Sequence, residues 1–120
     1  GASSALAIDI DTDAVKASAS NAAYAGVVDR LTVLNVNLTH HTIQAGGFDL
    51  VIANISAAFL VESASELLMC LNDKGTFVGS GYMTERSADV NAAFANIGDA
   101  FIESEQCEDW MAILVRPGLF

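Results

Sequence analysis

The sequence predicts an α/β protein with a Rossmann-like, doubly wound and mostly parallel sheet. Three observations point there. Short apolar runs alternate with longer stretches of helical periodicity, the pattern of strand–helix–strand units joined by right-handed crossovers. The last two strand-like runs are separated only by Glu108-Asp109, and so short a connection forces an antiparallel pair. A chain of 120 residues, 52% of them hydrophobic, is large enough for one domain with its own core and too apolar for intrinsic disorder.

The elements follow in order. Residues 4–9 (S-A-L-A-I-D) form an unbroken apolar run ending in acid, expected as a strand buried on both faces. Asp11 is placed to cap a helix running to about Ala25, with Thr12 and Asp13 in its first turn and Gly26 as its stop. Residues 31–36 (L-T-V-L-N-V) read as a second strand, and the polar stretch 37–47, closing in Gly46-Gly47, as a loop. Phe48–Asn54 is the clearest buried strand. A helix apolar nearly all round follows, from Ser56 to about Leu71. Residues 72–75 (N-D-K-G) read as a turn and 76–80 as a fourth strand. Thr84 is expected to cap a helix with Val90, Ala93, Phe94 and Ile97 as its core face, ended by Gly98-Asp99. The closing hairpin pairs 101–107 with 110–116, with Phe101 and Trp110 expected in the core and Glu103, Glu105, Glu108 and Asp109 on a solvated edge.

Charge and composition exclude several functions. With 5 Lys+Arg against 15 Asp+Glu the net charge is −10. Such a surface repels phosphate backbones and anionic lipid, so nucleic acid and membrane are not expected partners; a basic protein is. No apolar run approaches the roughly 20 residues of a membrane helix. Cys70 and Cys107 lie in apolar segments and make no spaced framework, so a reduced cytoplasmic protein with two buried thiols is expected.

In an open α/β sheet, ligands sit beyond the carboxyl ends of the strands. Asp9 ends the first strand; its carboxylate can accept bonds from vicinal ribose hydroxyls, or can only cap the helix with Asp11. Ile10 can lie against a purine or belong to the core. Asn37, with Leu38 beside it, follows the second strand with an amide suited to an adenine edge, or is a turn residue. Asn54 ends the next strand and lines a site or shares the helix cap with Ser56. Ser80-Gly81 allows close approach of a ligand or makes a tight turn. His40-His41 has no Cys, Asp or Glu at metal spacing and reads as solvated loop, so no metal is expected.

Residues 7–23 (A-I-D-I-D-T-D-A-V-K-A-S-A-S-N-A-A) and 26–33 (G-V-V-D-R-L-T-V) resemble the second-strand region of class I S-adenosylmethionine-dependent methyltransferases. Residues 48–60 (F-D-L-V-I-A-N-I-S-A-A-F-L), 75–82 (G-T-F-V-G-S-G-Y) and 108–113 (E-D-W-M-A-I) are similar to the PrmA family within them, which methylates a ribosomal protein. The resemblance implies S-adenosylmethionine as cofactor. It implies that Asp9 holds the ribose, that Ile10 packs on adenine, and that Asn37 stands where the superfamily often has an acid. It implies that Asn54 lines the place where methyl donor and substrate nitrogen meet.

The family's first strand and glycine-rich loop would precede Ala5. Residues 1–120 are therefore expected to be a single partial catalytic domain, with strand order 3-2-(1)-4-5-7-6. Strands 2 and 4 then pair directly or a homo-oligomer covers the gap. Weak or no binding of the cofactor is expected of these residues alone. Competing readings are a pseudo-receiver signalling domain, with Asn54 in place of a phospho-accepting Asp, a nicotinamide-binding Rossmann piece, and a non-catalytic methyltransferase-like interaction remnant. The terminal antiparallel hairpin discriminates, because a receiver ends in a parallel strand and helix.

Overall fold

The structure, a computed structural model, describes residues 1–38, 43 and 45–118. The chain divides into two compact units, residues 1–42 and 43–120. The His40-His41 loop of the sequence reading lies outside the described residues.

The first unit is strand β1 (Ala5–Asp9), helix α1 (Thr12–Ala25) and strand β2 (Leu31–Asn35). The strands are parallel, with Ala5 opposite Leu31 and Asp9 opposite Asn35. Helix α1 begins where expected. Asp11 is extended and its side chain accepts the Asp13 N–H at 2.8 Å, satisfying one of the helix's orphan donors. It ends at Gly26, whose φ of 71° is the left-handed conformation that lets its N–H reach the Ala22 and Ala23 carbonyls. β1 is half-buried instead of buried on both faces, because its sheet has two strands and one helix of its own unit against it.

The second unit contains β3 (Phe48–Asn54), α2 (Ala57–Met69), β4 (Leu71–Met83), α3 (Ser87–Ala95), β5 (Ala100–Cys107) and β6 (Trp110–Pro117). Its sheet order is β3-β4-β6-β5, with β3 parallel to β4 and the β6 ladders antiparallel. Counted in the family's numbering, the two sheets have the expected internal orders 3-2 and 4-5-7-6. The antiparallel hairpin is the feature that separates this fold from a receiver or a nicotinamide-binding piece. Glu108 in its two-residue connection takes φ 54°, as tight hairpins require of a first central residue.

The core of this unit lies on one sheet face. Phe77, Val115 and Ile113 point into it from β4 and β6, and Leu60, Ala64, Leu67, Val90 and Phe94 meet them from the helices. Phe94 stacks on Phe77 with ring centroids 4.9 Å apart.

Several expectations fail here for one reason: the helices cover only that face. Strand alternation puts Leu50, Ile52, Met83, Phe101 and Trp110 on the other face, and all are exposed, Ile52 to 68% and Trp110 to 54%. β3, expected to be fully buried, is the terminal strand of its sheet, and Phe101 and Trp110 are not core. Cys107 is exposed too, so only Cys70 is a buried thiol. Ile97 lies beyond the end of α3 and is exposed. Helix α2 is two-faced, with Ala57, Leu60, Ser63, Ala64, Leu67 and Leu68 buried and Ala58 and Val61 exposed.

Two local expectations also change. The N-D-K-G turn is a bulge inside β4: Phe48 faces Leu71 and Leu50 faces Thr76. Asn72 Oδ1 accepts the Lys74 N–H at 3.0 Å, and its Nδ2 donates to Asp49. Thr84 does not cap α3. It opens a short 3₁₀ turn, Thr84–Arg86, and α3 starts from Arg86 with no side-chain cap.

Candidate functional site

The sequence-predicted residues fall in both units. Asp9, Ile10, Asn37 and Leu38 belong to the first; Asn54, Ser80 and Gly81 belong to the second.

At the carboxyl end of β1 the chain must turn from strand to helix in two residues. Two successive side-chain-to-backbone bonds make the turn. Asp9 Oδ1 accepts the Asp11 N–H at 2.9 Å, and Asp11 Oδ1 accepts the Asp13 N–H at 2.8 Å. The acids thus divide the work: Asp11 is the helix cap, and Asp9 is fixed by the turn through one oxygen. Its Oδ2 takes no part in that turn, and the residue is exposed. A carboxylate held so can accept from neighbouring hydroxyls without first losing its own rotamer freedom. Ile10 is 68% exposed, so it is not a core residue, and an apolar surface stands beside the carboxylate.

Sequence reading placed the second strand's terminal polar group at Asn37. The strand ends two residues earlier, at Asn35, which faces Asp9 in the ladder and donates from Nδ2 to the Asp9 carbonyl at 3.1 Å. An asparagine inside an apolar run reads as strand interior, and no signal in the sequence points to Asn35: its register opposite Asp9 exists only in the folded chain. Asn37 and Leu38 are half-buried beyond the strand, and Asn37 has an interaction of its own within the protein.

In the second unit, Asn54 ends β3 and faces Ser80 of the parallel strand β4, which does not stop at Ser80 as the sequence predicts but runs on to Met83, paired there with β6. The Ile55 N–H donates to the Ser80 carbonyl at 3.0 Å, carrying the ladder one step further. Ser56 alone caps α2, its Oγ accepting the Phe59 N–H at 3.3 Å. The cap therefore does not need Asn54, whose exposed side chain is left over for other use. After Ser80 the strand bulges at Gly81, φ 91°. A Cβ there would lie 2.5 Å from Asn54 Oδ1 and 2.9 and 3.0 Å from the Ile55 carbonyl oxygen and nitrogen.

The remaining chemically capable groups are buried: Cys70 and Ser63 at α2, and Tyr82 near the end of β4. Burial raises the thiol pKa of Cys70, whose Sγ donates to the Glu66 carbonyl at 3.3 Å. Burial also raises the phenol of Tyr82. The hydroxyls of Tyr82 and Ser63 are buried without a partner among the described residues. No cluster of three metal-ligating side chains occurs among the described residues.

The chain is 33% identical over 116 residues to a ribosomal protein L11 methyltransferase of Brevibacillus brevis, covering 97% of this chain and 36% of that protein. It therefore spans little more than a third of that relative's length. The structure of a ribosomal protein L11 methylase from Lactobacillus delbrueckii subsp. bulgaricus superposes with a TM-score of 0.85 at 28% identity, covering 96% of this chain and 58% of that one. A SAM-dependent O-methyltransferase of Thermotoga maritima, at 11% identity and a TM-score of 0.74, shares the class I methyltransferase fold. The family model described as ribosomal protein L11 methyltransferase (PrmA) matches residues 1–117, and by that nearly end-to-end match the chain belongs to this family.

Proposed function

We propose that these residues carry part of the methyl-donor site of a protein N-methyltransferase, with S-adenosylmethionine as cofactor and a basic ribosomal protein as substrate. The observation that carries the reading is Asp9: an exposed carboxylate at a strand's carboxyl end, fixed through Oδ1 and open at Oδ2. That geometry suits a ribose diol, and the exposed Ile10 beside it suits an adenine face. Asn37 and Leu38 would border the base.

S-adenosylmethionine supplies an electrophilic methyl carbon that a substrate amine attacks in line, leaving a thioether. Alignment is the protein's main contribution to such a step. Asn54, with Ser80 and Gly81 beside it, is the group we assign to holding the amine, because its carboxamide offers both donor and acceptor and the helix cap leaves it unused. A net charge of −10 favours a basic substrate. No helix among the described residues is long and apolar enough to cross a membrane, and the two cysteines are unpaired. A ribosomal protein as substrate is the ground for the cytoplasmic setting we assign. The terminal position of β3, with Leu50 and Ile52 exposed, supports self-association of this chain through that strand; sedimentation velocity should then show dimers that Ile52→Lys dissolves.

The test of the cofactor reading is titration of the ¹⁵N-labelled chain with S-adenosylhomocysteine, followed by NMR. Binding weaker than low-micromolar is expected, with shifts centred on residues 9–11. Asp9→Ala should weaken it roughly 10- to 100-fold, the worth of hydrogen bonds to a charged acceptor. Shifts that avoid residues 9–11, or survive Asp9→Ala unchanged, would overturn it.

A further inference from the structure

Gly81 has a use that backbone approach to a ligand does not describe. The space beside its Cα is filled by the chain itself. A Cβ there would sit 2.5 Å from Asn54 Oδ1, well inside contact distance, and against the Ile55 backbone. The φ of 91° is one that side-chain-bearing residues rarely adopt. No hydrogen bond within the protein fixes the Asn54 carboxamide among the described residues; Asn37 is the residue with further partners, and Ser56 has taken the cap. The carboxamide oxygen occupies the space that a Cβ on residue 81 would need, at the point where the bulge between Ser80 and Tyr82 bends β4.

We infer that Gly81 is a positioning residue for Asn54. It seats the carboxamide in one rotamer by shape, leaving the amide's hydrogen-bonding capacity for an external group. Holding a polar side chain by packing rather than by hydrogen bonds keeps its donors and acceptor free, as a group that must grip a substrate nitrogen requires. This rests on the reading of Asn54 given above. It differs from it in naming what sets the side chain's geometry.

The experiment has two arms on the 120-residue chain. In the first, NMR of the wild-type protein measures the Asn54 χ1 couplings and cross-relaxation between its side chain and the Gly81 α protons. One rotamer in contact with Gly81 is expected. A rotamer-averaged side chain would overturn the inference, and this arm needs no variant to fold. In the second, S-adenosylhomocysteine with a short amine-bearing peptide is titrated into wild type, Asn54→Ala, Gly81→Ala and the double variant.

If Gly81 acts through Asn54, Gly81→Ala weakens peptide binding about as much as Asn54→Ala does. The double variant is then no weaker than Asn54→Ala alone. Additive losses would show an independent role and overturn it, as would Gly81→Ala shifts spread through α2 and β6, which a merely structural effect on the second unit produces. Should wild type bind neither ligand, as a partial domain can, the first arm decides alone: a seated rotamer supports the seating of Asn54 by Gly81 and an averaged one overturns it. In a chain that does bind, shifts that avoid residues 9–11 count against the methyl-donor reading only.

Discussion

Replacing Gly79 by alanine tests the packing that carries Ser80 and Gly81. Gly79 is buried on the core face of β4, opposite Ile113. Its φ is ordinary, so the substitution probes space and not backbone strain. An added Cβ would lie 2.9 and 3.1 Å from Phe77 Cε1 and Cζ and 3.0 Å from Ile113 Cγ2. Phe77 is 0% exposed and Ile113 1% exposed, so neither can swing into solvent. Phe77 is further held by its stack on Phe94. Forcing a methyl group into a filled core costs about 1–3 kcal/mol. Removing glycine's freedom from the unfolded chain returns about 0.4–1 kcal/mol.

Because both neighbours are held, the packing cost falls in the upper part of that range, about 2–3 kcal/mol, and the net expectation is a loss of about 1–2.6 kcal/mol, roughly 4–20 °C in Tm for a unit of this size. Urea melts followed by circular dichroism measure it. Phe77→Leu removes the ring carbons that the methyl group meets, so the pair Phe77→Leu and Gly79→Ala should couple favourably by at least about 0.5 kcal/mol in a double-mutant cycle. A Gly79→Ala protein as stable as wild type, or strict additivity with Phe77→Leu, would refute the packing argument.

Asp11→Ala should cost about 1 kcal/mol by removing the cap on the Asp13 N–H, with the loss of helicity confined to α1 and visible as faster amide exchange there. Cys107 should be alkylated rapidly in the native protein and Cys70 only on unfolding, so mass spectrometry after a short iodoacetamide pulse should find one modified thiol; two would refute the burial difference. Stability should fall at alkaline pH. The Cys70 thiol and Tyr82 phenol have folded pKa values raised above their ordinary 9.0 and 10.0, so above pH 9 the unfolded chain releases protons that the folded one keeps. This stabilisation of the folded state is intact below pH 9 and is lost as pH climbs through the raised values; Tyr82→Phe should flatten the decline, and an unchanged slope would refute it.

Much of the architecture was legible in the residues because it is local. The Asp11 cap and Gly26 stop bracket α1 within a few residues, and Ser56 starts α2 by the same logic. The two-residue gap at Glu108-Asp109 fixes an antiparallel hairpin by chain length alone. The strand-end placement of Asp9 and Asn54 follows from where apolar runs stop; at Ser80 the same rule fails, because β4 bulges at Gly81 and pairs with β6 as far as Met83.

What only the tertiary structure decided depends on which faces are covered and which residues meet across strands. An apolar run looks the same in a strand buried twice as in one buried once, so Leu50, Ile52, Phe101 and Trp110 read as core until the helices proved to lie on a single side. Asn35 gained its role from standing opposite Asp9, and Gly81 from standing against Asn54, contacts between residues 26 and 27 positions apart in the chain. Sequence sets which groups are available along the backbone, but a contact between distant residues exists only once register and layer packing have been fixed together.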